Sequence, residues 1–452
     1  MTGAMYAAIG GLRSHMSKLN VIGNNIANVN TYGYKAQRMT FKESIYGTTR
    51  SGSNGGVTNG GNNPSQVGYG CTVASIDLNM APSTYSPTGV GLDCYIDGEG
   101  FYLLGGKLEK EETYADDGTI TGVKWSGGIT SGDQLKDYTL SRVGDFMVDA
   151  DGYICNSNGM IVYGFARVQN PYYVPNASKQ DIAAQKAKGI DIESETIIST
   201  HLVPLRVPLQ AAAPTEDNGG VTTEKDADGK DVTVKQWEQG DPVYPYLSSA
   251  DRLNQYAEPN LDKGRAKWDG TAPAVGTAVY GKSTIAVGEN TAEDAVSNVK
   301  PCQMKEMSID KNGAIIGTAN GKSVVIGYIA IASADNPNGV THIDGPYYKC
   351  MPGAGNLQIS TAGLDLDSPY LGNKVDPGTA DGDLNGATRA REIDYIFKEK
   401  DTEMQGGGLE ASSTDLAYEF AEMVTTQRGY QANTRIVSVT DSMLEELVNM
   451  KR

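Results

Sequence analysis

Apolar residues recur at alternating spacings of four and three near the start of the chain. That period places them on one side of an α-helix, which then needs a partner helix. Thr2 is the expected N-cap, and the asparagine-rich run after Gly23 predicts that the helix ends near Asn28. Polar residues such as Ser14 and Lys18 lie off this apolar line. The line consists of Met5, Ile9, Leu12, Met16, Leu19 and Ile26.

A second apolar line runs through the other end of the chain, where apolar residues recur every seven positions. This is also the period of a helix that packs along a partner. Ser413 or Thr414 is the expected cap, Asp415 lies in the first turn, and the helix is expected to reach about Met450. Gly429 costs about 1 kcal/mol relative to alanine, which is acceptable where two backbones approach closely. The seven-residue period is carried by Leu416, Met423, Tyr430, Val437 and Leu444, and the predicted assembly residues of this helix also include Phe420 and Val448.

Between the two helices, the sequence has the character of β-strands, turns and Gly/Asn loops. Alternation of apolar and polar residues predicts half-buried antiparallel strands, and Asn158-Gly159 is one of several dipeptides that favour turns between them. From about residue 167 to residue 300 the alternation weakens and charged loops lengthen, which indicates a second domain inserted into the first. The clearest alternating segments are 74–80, 92–97 and 145–149.

The predicted fold class is α+β. N- and C-terminal helices pair as a coiled-coil-like seam and flank β-rich domains, antiparallel and sandwich- or barrel-like, one inserted within another. The predicted division is an N-terminal helix at 1–28, a connector at 29–70, an inner β domain at 71–166 and 301–365, an inserted outer β domain at 167–300, a connector or excursion at 366–411, and a C-terminal helix at 412–452.

Charge and hydropathy exclude several classes of protein. A net charge of −17 argues against nucleic acid binding, which needs a basic face. The longest apolar run is too short for a membrane span, and the N-terminus does not show the order of regions that marks a secretory signal peptide. The 5 cysteines are odd in number, widely spaced and without a C-x-x-C pair, so we expect buried free thiols rather than a zinc site or a disulfide framework.

Catalytic patterns are weak throughout the chain. His15, His201 and His342 lie in unrelated segments, so core or surface roles are favoured for them. Two Asp-rich turns, at 149–152 and 226–229, lack the glutamate that a calcium loop requires. The sequence therefore predicts no enzyme, no cofactor and no metal site, and its helical ends indicate assembly.

Several segments resemble the signatures of bacterial flagellar rod and hook proteins. One lies at the end of the first predicted helix and one within the last; interior matches lie at 92–101, 142–146 and 408–416. The resemblance covers about residues 1–165 and 300–452. Its terminal motif residues are Asn24, Asn25, Asn28, Asn30, Thr31, Gly33, Tyr34, Lys35, Gln427, Arg428, Tyr430 and Asn433.

The large interior implies the hook branch of this family. The implied function is a structural subunit that self-assembles into a curved tube, a universal joint that transmits torque from the motor and rod to the filament. The terminal helices would form an inner tube and the β domains would project outward. Implied partners are further copies of the chain, the rod, hook-cap and hook-filament junction proteins, and the flagellar type III export apparatus. The implied location is the extracellular flagellum, reached without a cleaved signal peptide.

Two alternatives remain at this stage. The chain could be another axial protein of the same family, from the distal rod or the hook-filament junction. It could also be a secreted β-rich adhesin or carbohydrate-binding protein with helical stalk ends. That class predicts a soluble monomer or small oligomer, an aromatic surface groove and a conventional secretion signal.

Overall fold

The structure is a computed structural model, and it divides into two compact units. We call Met1–Thr84 with Ala411–Arg452 the terminal unit, and Tyr85–Glu410 the central unit. The residues described are 2–56, 60–106, 109–114, 120–126, 138–169, 179–180, 182–183, 194, 196–198, 202–211, 221–225, 231–235, 238–244, 301–355, 357–362, 396–397 and 402–450.

Two long helices dominate the terminal unit. The N-terminal helix spans Thr2–Ala27 and ends within the asparagine-rich run, next to Asn28 as predicted. Because Thr2 is already helical, the residue that caps this helix lies outside the described residues. The C-terminal helix spans Leu416–Asn449.

The cap of the C-terminal helix corrects the prediction. Asp415, not Ser413 or Thr414, is the N-cap, and its carboxylate accepts hydrogen bonds from the backbone N–H groups of Ala417 at 2.9 Å and Tyr418 at 3.3 Å. A carboxylate suits this position because it meets the positive end of the helix dipole. The Ser413 hydroxyl instead accepts a hydrogen bond from the backbone of Ala36 at 2.7 Å.

Two antiparallel strand pairs complete the terminal unit. Strand β1 (Gln37–Glu43) pairs with β4 (Cys71–Leu78), and β2 (Tyr46–Arg50) pairs with β3 (Ser65–Gly68).

The prediction for 74–80 is right about the strand and wrong about its buried face. In β4, Ala74 and Ile76 are exposed, whereas Val73 and Ser75 on the opposite face are half-buried. Since successive side chains point to opposite faces of a strand, Ala74 and Ile76 lie on the outer face, whereas Leu78 and Met80 at the end of the predicted segment are half-buried.

The central unit consists mainly of short strands. In chain order they are β5 (Tyr85–Pro87), β6 (Cys94–Asp97), β7 (Phe101–Gly105), β8 (Glu109–Tyr114), β9 (Ile120–Ser126), β10 (Thr139–Ser141), β11 (Phe146–Val148), β12 (Ile154–Asn156), β13 (Ile161–Gln169), β14 (Thr196–Ile198), β15 (Val203–Pro204), β16 (Leu209–Gln210), β17 (Val221–Lys225), β18 (Asp231–Lys235), β19 (Pro242–Val243), β20 (Lys305–Ile309), β21 (Ala314–Ala319), β22 (Lys322–Ile329), β23 (Ile331–Ala334), β24 (Thr341–His342), β25 (Tyr347–Lys349), β26 (Leu357–Ser360), β27 (Ile396–Phe397), β28 (Glu403–Gly406) and β29 (Gly408–Glu410). Short 3₁₀ turns lie at Pro337–Gly339 and Pro352–Ala354.

One large sheet organises these strands. Its main path runs β20-β21-β22-β13-β7-β10-β25-β24, and the neighbours along it are antiparallel. The predicted strands at 92–97 and 145–149 correspond to β6, whose first three residues are buried, and β11, in which Phe146 is buried and Val148 is exposed. The Asn158-Gly159 turn joins β12 to β13, and Gly159 has a positive φ of 77° there.

The predicted domain boundaries stay a prediction, and the described residues differ from them at three points. Strand β4, assigned to the inner β domain, belongs to the terminal unit because it pairs with β1. Strand β15 lies within the predicted insertion but pairs with β13, and Leu205 belongs to the same buried core as Ile154. Residues 402–410, assigned to a connector, include β28 and β29 of the central unit.

A buried ion pair fixes the last strand of the central unit. The Arg142 guanidinium lies 3.1 Å from the carboxylate of Glu410, and both side chains are at most 2% exposed. The same guanidinium donates to the carbonyl oxygens of Gly98 at 2.9 Å and Gly100 at 3.0 Å. Three interior segments of the flagellar resemblance therefore meet in one hydrogen-bonded cluster.

Candidate assembly surface

The two long helices of the terminal unit pack antiparallel through small and polar residues. Gly11 lies against Asn433 and His15 against Gly429, so later positions of one helix meet earlier positions of the other. Further along, Lys18 forms an ion pair with Glu422. The helices thus pair as predicted, but polar groups and glycines supply much of the contact.

Two glycines allow the helices to approach closely. A Cβ atom on Gly11 would lie 2.6 Å from Nδ2 of Asn433, and one on Gly429 would lie 2.7 Å from Cε1 of His15. Real Cβ atoms do not approach other heavy atoms so closely, so a larger residue at either place would require the Asn433 or His15 side chain to move. Gly429 therefore meets a side chain of the other helix, and the expected close approach of two backbones stays a prediction.

Asn25 joins three segments of the terminal unit. Its side-chain amide donates to the backbone carbonyl of Gln37 and to the carboxylate of Glu419, both at 2.8 Å. Its carbonyl oxygen accepts from the Tyr34 hydroxyl at 3.0 Å and from the backbone N–H of Gln37 at 2.9 Å. Because Asn25 is only 1% exposed, these bonds are shielded from water. The asparagine therefore fixes both helices against the turn between the N-terminal helix and β1.

The same environment changes the acidity of its partners. Burial, followed by the nearby charge of Glu419, raises the pKa of Tyr34 to about 12. Burial also raises the pKa of Glu419, although the hydrogen bond from Asn25 opposes that rise. Tyr34 is therefore a neutral hydrogen-bond donor at physiological pH.

Other motif residues shape the turn that follows the N-terminal helix. The Asn28 amide donates to the carbonyl oxygen of Asn24 at 2.9 Å, and the Thr31 hydroxyl donates to the Asn28 side chain at 3.2 Å. Gly33 has a φ of 68°, a conformation that glycine adopts at little cost. The Lys35 ammonium, in a side chain only 1% exposed, donates to the carbonyl of Ala81 at 2.8 Å.

The predicted apolar line of the N-terminal helix does not form the buried face of that helix. None of its six residues is buried, and Met16 is 50% exposed. The buried positions of the described helix are instead Ala8, Gly11, Ser14, Val21, Ile22 and Asn25, so the buried face is rotated by about one residue and contains apolar as well as polar side chains. The prediction that Ser14 lies away from the packing face is wrong. Ser14 is buried, and its hydroxyl donates to the carbonyl of Cys71 at 3.2 Å.

The predicted line of the C-terminal helix divides into two sets. Four residues with the seven-residue period are half-buried on the side that carries Gly429 and Asn433. These are Met423, Tyr430, Val437 and Leu444. The other three are exposed in the subunit: Leu416, Phe420 and Val448.

A further exposed apolar set on the C-terminal helix was missed by the seven-residue pattern. Its members follow one another at spacings of three and four, so they share one side of the helix. A search for the 3.6-residue period on every face would have found them. We call them the outer apolar face: Ile436, Val439, Met443 and Leu447.

Five motif residues are exposed on the terminal unit: Asn24, Asn30, Thr31, Gln427 and Arg428. Tyr430 and Asn433 are half-buried on the helix-pairing side. His342 is exposed on β24, and His201 lies outside the described residues. Within the described ranges, we find no cluster of His, Cys, Asp and Glu side chains suited to a metal ion. No helix there is both long and apolar enough to cross a membrane.

Comparison with known proteins gives matches at both ends and along the whole chain. Residues 405–450 match the family described as flagellar basal body rod FlgEFG protein C-terminal, and residues 5–35 match flagella basal body rod protein. The chain is 25% identical to flagellar hook protein FlgE of Borreliella burgdorferi, with all of both chains covered. It is 24% identical to flagellar basal-body rod protein FlgG of Bacillus subtilis, again over all of both chains.

A further relative is flagellar hook protein FlgE of Salmonella typhimurium, which is 23% identical, with 98% of this chain and 99% of that protein covered. Among solved structures, Helicobacter pylori flagellar hook protein FlgE2 aligns with a TM-score of 0.25 at 12% identity, over 63% of this chain and 98% of that one.

These sequence matches define a class of axial structural proteins. Models of flagellar rod and hook proteins match both ends of the chain, and the whole chain is similar to proteins named flagellar hook protein. The predictions of a hook structural subunit and of a protein that is not an enzyme are confirmed by these relatives. The flagellar hook proteins to which the chain is similar are parts of the external flagellum.

Proposed function

We propose that the exposed apolar residues of the two long helices are the contacts through which copies of this chain polymerise into the hook. The observation that supports this is the unusual use of apolar residues in the terminal unit. Its helices meet through glycines, Lys18 and Asn25, while the outer apolar face is left in water.

The energetics favour burial of that face in a polymer. Removing a large aliphatic side chain from water stabilises a contact by about 1.5–3 kcal/mol. The outer apolar face, Leu416, Phe420 and Met16 are exposed together in the subunit. A neighbouring helix that covers the outer apolar face alone gains several such contributions per subunit. Leu416, Phe420 and Met16 lie elsewhere on the two helices and would be covered by other neighbours. The exposed motif residues Gln427 and Arg428 would lie at the same contacts.

The polymer is proposed to be a short curved tube that acts as a universal joint between the rod and the filament. The terminal helices would line it, and the β-rich residues would project outward as lateral contacts. In this arrangement the helices supply axial cohesion, and the polar β surfaces permit sliding. The tube would join rod and hook-filament junction proteins at its ends and would grow beneath a hook-cap protein.

Export is proposed to occur through the flagellar type III apparatus, without a cleaved signal peptide. That route threads an unfolded chain. The polar contact between the two helices suits such a route because water can replace its hydrogen bonds while the helices are apart.

A distal rod protein is the second candidate, because the Bacillus subtilis relative that covers the whole chain is named a rod protein. The two candidates differ in the shape of the polymer. Electron microscopy of polymer assembled from the purified chain should show curved tubes for a hook subunit and straight tubes for a rod subunit.

Truncation tests the proposed contacts. Removing residues 1–28 or 414–452 should abolish tube formation, while the central unit keeps a cooperative thermal transition. A matched control deletes residues 53–56, an exposed stretch of the same unit, and should still form tubes. Tubes of normal appearance from either helix deletion would overturn the proposal.

A further inference from the structure

His15 lies inside the contact between the two helices of the terminal unit. Its ring occupies the space left by Gly429, whose Cβ position would be 2.7 Å from Cε1 of the ring. On its other side lies the ring of Phe41 on β1, with centroids 5.5 Å apart and planes at 61°. Nδ1 of His15 is buried and has no hydrogen-bond partner in the described part of the chain.

The nearest charge that acts on the ring is positive. Lys18, one helical turn further along, pairs with Glu422, and its ammonium lies 5.6 Å from the centre of the Phe41 ring. The elements packed about His15 carry these charged and titratable side chains: Tyr6, Arg13 and Lys18 on its own helix, Tyr418, Glu419, Glu422, Arg428, Tyr430, Arg435, Asp441, Glu445 and Glu446 on the C-terminal helix, Arg38, Lys42 and Glu43 on β1, and Cys71 and Asp77 on β4.

This environment disfavours a proton on the ring. Burial, and then the charge of Lys18, lower the pKa of His15 below its ordinary value. A protonated ring would place a second positive charge near Lys18 and a buried N–H at Nδ1 without an acceptor. The neutral ring avoids both costs, so the paired helices favour it.

We propose that His15 is a proton-sensitive latch of the helix pair: protonation in mild acid weakens the contact between the two helices and thereby loosens the polymer. The expected effect of protonation on the polymer rests on the proposed function. For a histidine whose pKa is lower in the folded state, the stabilisation is complete above the ordinary pKa of about 6.5. It declines as the pH falls toward the lower value of the folded state.

Glu419 in the same helix pair works in the opposite direction. Because its pKa is raised in the folded state, its carboxyl favours helix pairing as the pH falls toward the ordinary carboxyl range. A test must therefore remove the histidine titration alone. His15→Gln does so, since glutamine has a similar size, keeps polar character and carries no charge at any pH.

The test compares polymers of the full chain at about pH 8 and about pH 5.5, on either side of the ordinary histidine pKa. Wild-type polymer should release soluble subunits on acidification, measured by sedimentation, and H15Q polymer should release clearly less. His342→Gln is the matched control, because His342 is exposed in the central unit; it should behave like wild type. Equal release from wild type and H15Q would overturn the latch.

A second measurement does not depend on tube formation. Far-ultraviolet ellipticity of the unassembled full chain reports its helix content over the same pH range. A loss of helix in wild type that H15Q lacks supports the latch even if no tubes form, in which case only the proposed function fails. An identical pH response of the two proteins would contradict the latch whether or not they polymerise.

Discussion

The central and terminal units use their apolar side chains in opposite ways. In the central unit, Leu103, Val162 and Ile329 are almost completely buried, and only a few of its described large apolar residues are exposed. In the terminal unit, apolar residues are exposed along both helices while Asn25 and Thr426 are buried. Since exposed apolar patches often mark binding surfaces, the difference fits our proposal that the terminal unit, unlike the central unit, makes apolar contacts with neighbouring subunits.

The largest effect should come from a charge on the outer apolar face. Val439→Asp should leave the subunit folded, because surface substitutions usually change stability by no more than about 0.5 kcal/mol. In the polymer it would bury an unpaired carboxylate, so tube formation should fail. Sedimentation of assembled protein measures this.

Ser438→Asp, at the adjacent exposed position, is the control and should assemble much better. Equal failure of both variants would show that the apolar face has no special role in assembly.

Breaking the buried ion pair of the central unit should have the next largest effect. Arg142→Ala leaves the Glu410 carboxylate buried without its guanidinium and removes the donors to Gly98 and Gly100. Loss of one partner of such a pair costs about 3–5 kcal/mol. Thermal unfolding of the central unit should show this loss of stability. The control Lys305→Ala removes an exposed cation and should hardly change the transition.

Asn25→Asp should destabilise the terminal unit by a smaller amount. The change removes the amide that donates to Gln37 and Glu419 and places a carboxylate beside that of Glu419. Leaving a buried group unsatisfied costs about 1–3 kcal/mol. Helix content followed during heating measures the loss. Asn20→Asp introduces the same charge at an exposed position of the same helix, and a comparable loss there would contradict the role given to Asn25.

The smallest effect concerns pH. Because burial raises the pKa of Glu419, its contribution to stability is present in acid and is lost as the pH rises through that raised value. Glu419→Gln keeps an oxygen that accepts from Asn25 and should reduce this part of the pH dependence of the terminal unit. Glu445→Gln, at an exposed site, should leave the pH dependence unchanged. Thermal unfolding at several pH values distinguishes the two.

Local features were predictable from the sequence, but the contact faces were not. The end of the N-terminal helix follows from the asparagines after Gly23, and the turn at Gly159 from its dipeptide, because both depend on neighbours in the chain. The apolar line through Leu19 was expected to face a partner helix. It does not form the buried face, since periodicity shows that a face is apolar but not which surface covers it.

The polar contacts required knowledge of pairs distant in sequence. The motif identified Asn25 as a residue of interest, but nothing in the spacing predicts that it bonds Glu419 almost four hundred residues later. The prediction of which face of β4 is buried was wrong for a related reason. Ile76 is an apolar residue on the exposed face of the strand. Alternation of apolar and polar residues alone predicts that such a residue is buried.

The thiols of this chain have a consequence for labelling studies. Of the five cysteines, Cys71 is half-buried and the other four are buried. Burial raises the pKa of Cys94 to about 12 and that of Cys302 to about 11. Since maleimides and iodoacetamides react with thiolates, the thiols of these two residues should not react with them near neutral pH. A fluorophore or spin label could therefore be directed to a cysteine introduced on an exposed site, with only Cys71 to be replaced first.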